Sequence, residues 1–193
     1  MAREVDTSKI DRVKVAAMKL IVEKGYGGAT ISEIARMAGV SDGYLYRHYK
    51  SKMELVQDLY RSNIEILHGE MDNILERVGA IRDFFIEYID FLYTASISDP
   101  NLFRFCHMLI YDYSFSLPIH PIERIVEISK KVLKKGLSTG EISNKRDPEE
   151  VFSVMIGVPL KFLDTRMRNF FWQREIASDD VEKIADICIK ALS

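Results

Sequence analysis

Residues 31–50 read ISEIARMAGVSDGYLYRHYK, and the spacing within them decides the fold. Ile34, Ala38, Val40 and Leu45 fall on the inward positions of two short helices, Ala35 is small where those helices cross, and Gly39 supplies the turn between them. Ser41 caps the second helix. Ser41, Asp42, Gly43, Tyr44, Arg47 and His48 are left facing outward. A helix about 10–12 Å across fits a major groove about 12 Å wide and presents the side chains of its first turn to base edges. The pair is a candidate DNA reader, although a helical hairpin with a glycine turn also occurs in proteins that never touch DNA.

The flanks continue in the same helical idiom. Ile10, Val13, Ala17, Leu20 and Ile21 repeat at helical spacing behind Thr7 and Ser8, with Gly25 as a stop. Thr30-Ile-Ser-Glu33 is a capping box that opens the first helix of the pair, and Ser51-Lys-Met-Glu54 is another that opens a long helix reaching into the sixties or seventies. Beyond it the periodicity predicts helices over 80–97, 101–112, 120–136, 148–172 and 179–192. No segment alternates with period two. The expected class is all-α, with an N-terminal three-helix helix-turn-helix DNA-binding domain over 1–52 and a larger helical domain over 53–193.

Composition divides the chain in the same way. Of 27 Lys and Arg and 29 Asp and Glu, residues 1–55 hold ten basic and seven acidic, so a net charge of −2 hides a positive N-terminal segment. All ten Phe lie between Phe84 and Phe171, whereas the aromatics before residue 50 are Tyr26, Tyr44, Tyr46 and Tyr49. Tyrosine joins an apolar ring to a hydroxyl that reaches phosphate, so it suits a small wet-faced module; clustered phenylalanine suits a dry interior. The two cysteines, Cys106 and Cys188, are too far apart in sequence for a zinc or redox pair. No apolar run approaches the ~18 residues of a membrane span, and no export signal opens the chain, so a cytoplasmic protein is expected.

Within the reading pair, Arg47 is the candidate for base recognition, because its guanidinium fork matches guanine O6 and N7. Gly43 lets the backbone approach DNA closely. Thr30, Tyr46, Tyr49, Lys50 and Lys52 carry groups suited to phosphates. Two readings stay open for Tyr49, phosphate contact or a wedge under the first helix, and for His48, groove contact or a solvated edge. Asp42 accepts from cytosine N4 or merely caps the helix with Ser41.

Gly25-Tyr26, Thr30-Ile31, Ile34-Ala35, Ala38-Gly39-Val40-Ser41, Gly43, Leu45-Tyr46, His48-Tyr49 and Lys50-Ser51-Lys52-Met53-Glu54-Leu55 together closely resemble the tetracycline-repressor (TetR) family of bacterial transcription regulators. The match covers about the first 60 residues. The resemblance implies a homodimer with a three-helix DNA-binding module, phosphate contacts from Thr30, Tyr46 and Lys52, and specificity from positions 41–48. Asp42 stands where a basic residue is frequent and Tyr44 where a small one is usual, so no operator sequence is carried over.

The C-terminal part suggests two further surfaces. Val151, Val154, Met155, Val158 and Phe162 form one apolar stripe of the helix over 148–172, and Phe152, Ile156, Leu163, Met167 and Phe170 form a second. Val181, Ile184, Ala185, Cys188 and Leu192 share a face of the last helix. Residues 148–172 and 179–192 are therefore the expected homodimer interface, which would set two reading heads about 34–36 Å apart on a near-palindromic operator in double-stranded DNA. A large monomeric core is the plainer alternative. Gly157-Val158-Pro159 should kink the long helix. Phe84, Phe85, Phe105, Met108, Tyr113 and Phe115 accompany a proposed effector site of Tyr88, Phe91, Phe103, His107, Tyr111, Met155, Phe162 and Arg166, which would take a mostly apolar or aromatic small molecule. Arg104, Asp112 and His120 are further polar candidates beside it.

No nucleophile elbow, phosphate loop, metal-binding helix motif or dinucleotide fingerprint is present, so neither catalysis, a cofactor nor a metal is expected. The expected function is a ligand-released repressor. The rival is a helical carrier that retains the DNA module without using it.

Overall fold

The computed structural model describes residues 7–171 and 176–193, and among these every regular element is an α-helix. In chain order they are α1 (Thr7–Gly28), α2 (Ile31–Ala38), α3 (Asp42–His48), α4 (Lys52–Arg77), α5 (Ile81–Ser98), α6 (Pro100–Tyr111), α7 (Ile119–Thr139), α8 (Pro148–Met167) and α9 (Ser178–Leu192). They gather into two compact units. One comprises α1 to α3, α4 as far as Ile64, and Asp99–Pro118; the other comprises Glu65–Ser98 and the chain from Ile119.

In the first unit Val13, Ala17 and Ile21 of α1 are fully buried, as are Ile34 and Ala35 of α2 and Leu45 of α3. Local chemistry sets each boundary. Gly25 breaks α1 with a φ of 75°, and Gly39, at φ 67°, closes α2 in the left-handed conformation that a side chain resists. Lys52 adds a closure of its own: its ammonium donates to the carbonyls of Tyr26 at 2.6 Å and Ala29 at 2.8 Å, where α1 ends and carbonyls lack helical partners.

α6 also belongs to this unit, where a split at residues 52 and 53 would not place it. It packs on α1 with Phe105 and Leu109 buried, and Phe115 behind it brings its ring 5.2 Å from that of Tyr26 and 6.0 Å from that of Tyr60. Phenylalanine absent from the first 83 residues thus returns to their core from further along the chain.

In the second unit α5 packs on α7, α8 and α9, with Ile81, Phe84, Phe85, Tyr88 and Ile89 buried. The Glu141 carboxylate caps α5, accepting from the amides of Ile81 at 2.7 Å and Arg82 at 3.0 Å. Lys135 closes α4 as Lys52 closes α1, donating to the carbonyls of Leu75 and Val78. Asp72, nearly buried, accepts from Arg124 and Lys131 of α7. Pro159 lies buried inside α8, which is one helix from Pro148 to Met167.

The C-terminal expectations need correction at three places. α8 ends at Met167 rather than near 172, where Asn169 takes a left-handed φ of 56° that does not continue the helix. Phe170 therefore stands exposed on the turn instead of extending an apolar stripe, and residue 172 lies outside the described residues. On α9, Val181, Ala185, Cys188 and Leu192 are buried within their own unit, where α9 packs on α5 and α8. A face already covered by its own chain is not free for a partner; Ile184 stays half-buried and Ile187 exposed. Tyr113 is fully exposed rather than part of a core.

Candidate nucleic-acid interface

The reading pair is built from reciprocal caps. Thr30 accepts from the Glu33 amide at 3.3 Å, its own amide donates to the Glu33 carboxylate at 3.3 Å, and Lys24 donates to that carboxylate at 2.6 Å. The Lys24 and Thr30 hydrogen bonds hold the Glu33 carboxyl below its ordinary pKa. The Ser41 hydroxyl accepts from the Tyr44 amide at 3.2 Å, and the Ser32 hydroxyl donates to Asp42. That last bond ties the start of α3 to α2. Arg12 of α1 donates to the carbonyl of Ala38 at 3.1 Å and so ties the end of α2 to α1.

Ser41, Asp42, Gly43, Tyr46, Arg47 and His48 are all exposed, as the register predicts. Tyr44 differs. Its ring lies 4.6 Å from His48 and under the Arg47 guanidinium at 5.7 Å, while its hydroxyl is buried without a hydrogen-bond partner. The Tyr44 ring thus packs against both Arg47 and His48. Tyr46 is 58% exposed.

The expected phosphate donors divide into free and engaged groups. The Thr30 hydroxyl donates to Glu33 at 2.9 Å, and Lys52 closes α1 with its ammonium 4.3 Å from the Tyr26 ring centroid. The Tyr49 hydroxyl donates to Asp58 at 3.1 Å, and burial followed by the Asp58 charge raises its pKa. Lys50 and Arg36 are exposed and form no ion pair among the described residues. Arg36 was missed by the sequence reading. Its signal was available, since α2 leaves only outward positions at Arg36 and Met37 between Ala35 and Ala38.

The effector candidates fall in both units. Tyr88 of α5 is buried, stacks on Phe84 at 5.7 Å and has an unpartnered hydroxyl; Phe91 is half-buried, and Met155 of α8 is fully buried. Arg166 stands 5.2 Å over the Phe162 ring and 3.5 Å from Asp180. Phe103, His107 and Tyr111 form a column on α6, with successive ring centroids 6.0 Å and 5.2 Å apart. Of the other polar candidates, Arg104 and His120 are exposed and Asp112 accepts from Ser114.

Residues 15–59 match the bacterial regulatory proteins of the tetR family. The transcriptional repressor KstR2 of Mycolicibacterium smegmatis is 32% identical over 154 residues, spanning 75% of this chain and 73% of its own. The chain belongs to the TetR family. It is a DNA-binding transcription regulator and not an enzyme. The fatty acid metabolism regulator of Bacillus subtilis is 24% identical over 68% of this chain and 70% of its own. Two solved structures share the fold over nearly the whole length. A TetR family regulator from Marinobacter aquaeolei has a TM-score of 0.79 at 16% identity, covering 97% of this chain and 96% of its own. FadR of Bacillus subtilis, in complex with stearoyl-CoA, has a TM-score of 0.71 at 17% identity over 95% of this chain and 99% of its own. Among the described residues no helix is long and apolar enough to cross a membrane, and no group of His, Cys, Asp and Glu is placed to hold a metal ion.

Proposed function

We propose that this regulator is a cytoplasmic homodimeric repressor that binds a near-palindromic operator through residues 1–52 and is released by an amphipathic molecule with a long acyl chain, taken up within 53–193. The observation that carries the DNA-binding part is the arrangement around α3. Arg47 and His48 pack on Tyr44, and Arg36, Tyr46 and Lys50 stand exposed on a helix pair tied by the Ser32–Asp42 hydrogen bond. Arg47 reads a base edge, with Asp42, Gly43 and Ser41 at the groove. Tyr46 and Lys50 meet phosphates, and Thr30 joins them if its hydroxyl turns from Glu33. The dimer forms where α8 and α9 leave Val154, Gly157, Val158, Ile184 and Ile187 uncovered or half-covered.

The acyl class is supported by the stearoyl-CoA bound to the similarly folded FadR and by the aromatic and methionine side chains inside the second unit. Gel retardation of DNA flanking the regulator's own gene, at low salt with and without stearoyl-CoA, tests both parts. Retardation that the ligand abolishes is expected. Arg47→Ala should relax discrimination at one base pair by about 1–3 kcal/mol. No retardation under any condition overturns operator binding; retardation indifferent to the acyl thioester overturns the ligand class alone.

A further inference from the structure

We propose that α7 carries a second, self-complementary surface through which two copies of the chain pair their α7 helices antiparallel, joining dimers into a tetramer. Ile119, Ile122, Val126 and Leu137 are 40–73% exposed. With Leu133 they recur at intervals of three, four and seven residues and so fall on one stripe, roughly 27 Å long at 1.5 Å per residue. Exposed apolar rows of that length are uncommon on surfaces that stay solvated.

The charges beside the stripe specify the occupant. Arg124 and Lys131 are turned to the other side and held by Asp72, so they take no part. On the outward flank stand Glu123 and Glu127 in the first half of the helix and Lys130 and Lys134 in the second, all exposed. A parallel partner sets like charges together. An antiparallel partner, with its two-fold axis between Ile128 and Ser129, sets Glu123 against Lys134 and Glu127 against Lys130 on the same flank. Lys130 bonds Glu127 at 2.7 Å within the helix and would exchange that contact for one across the axis; Glu123 and Lys134 form no ion pair among the described residues. The same axis lays Ile119 and Ile122 of the second copy over the groove that Leu133, Leu137 and Ser138 form with Pro148.

Pairing through α8 and α9 rests on the proposed function, and the assembly test separates the two contacts. Equilibrium sedimentation of the full chain across a wide concentration range should show a tetramer. Val126→Glu and Glu123→Lys should each halve the mass to a dimer with unchanged helicity by circular dichroism, and Glu123→Lys combined with Lys134→Glu should restore the tetramer. Ile187→Glu, which strikes the α8–α9 contact, should leave a dimer held by α7. A wild-type chain that never exceeds a dimer, α7 variants that keep the full mass, or a charge exchange that fails to restore it overturns the α7 pairing. α7 variants that yield monomers also overturn it, because the stripe then belongs to the primary dimer. Sensitivity to Ile187→Glu alone leaves the α8–α9 reading standing while this one falls.

Discussion

The ammonium of Lys52 closes the last turn of α1, and that of Lys50 stands in solvent. Sequence alone ranks them together, since both are basic and both lie just beyond α3. The difference becomes measurable when stability and DNA affinity are taken separately. Lys52→Ala strips charge-assisted bonds from two carbonyls and should lower unfolding free energy by about 1–2 kcal/mol in urea titrations. Lys50→Ala should leave the urea midpoint in place, weaken every DNA sequence alike and reduce the salt slope by about one counterion. His68 is a second residue that periodicity hides, because a histidine on an apolar face has no signature of its own. Burial, followed by the charge of Arg124, lowers its pKa from 6.5 to about 4, against an opposing pull from Asp72. The folded value lies below the unfolded one, so the unfolded chain takes up the proton first as pH falls. Stability is full above about pH 6.5 and should decline by about 2 kcal/mol on going to about pH 5. His68→Gln should flatten that decline in denaturant titrations at the two pH values.

At the scale of elements, legibility tracked how local the cause was. α2 and α3 are delimited by caps within three residues of each end, and both were readable from Thr30, Glu33, Gly39 and Ser41. α8 was overrun because its stop is Asn169 in a left-handed conformation, not a glycine. The α9 stripe reads as a homodimer face, yet Val181, Ala185, Cys188 and Leu192 are buried within their own unit, because periodicity reports that a face is covered and not what covers it. The packing of α6 on α1 is hidden for a related reason: α1 lies some 80 residues earlier, and no spacing rule connects them. The effector candidates share that limit, since an aromatic in the core and an aromatic on a cavity wall have the same helical spacing. Gly136 shows a long-range constraint that reads as an ordinary helix-weakening residue. A Cβ there would come within 2.4 Å of the Ile142 side chain, so the turn after α7 folds against a surface only glycine offers. Gly136→Ala should cost about 1–3 kcal/mol of stability despite alanine's better helix propensity. Adding Ile142→Ala removes the two nearest atoms, and the pair should cost less than the sum of the single changes.

For the whole molecule, the proposed regulation requires that two sites on one chain share a coupling free energy. The basic surplus lies within residues 1–55 and the acidic surplus in the rest of the sequence, so a net value of −2 conceals a positive DNA-binding segment. Ligand release then demands a differential affinity of the ligand for two conformers, because a ligand that binds both equally shifts nothing however tightly it binds. If stearoyl-CoA weakens operator binding by a given factor, operator DNA must weaken stearoyl-CoA binding by the same factor, typically about 5- to 150-fold. The four affinities that close this cycle can be measured by calorimetry below the concentration at which the thioester forms micelles. Equal ratios around the cycle are expected. An operator affinity that falls while the ligand binds free and DNA-bound protein alike would mean that the amphiphile acts on the DNA or as a detergent, and the proposed regulation would then need a different effector.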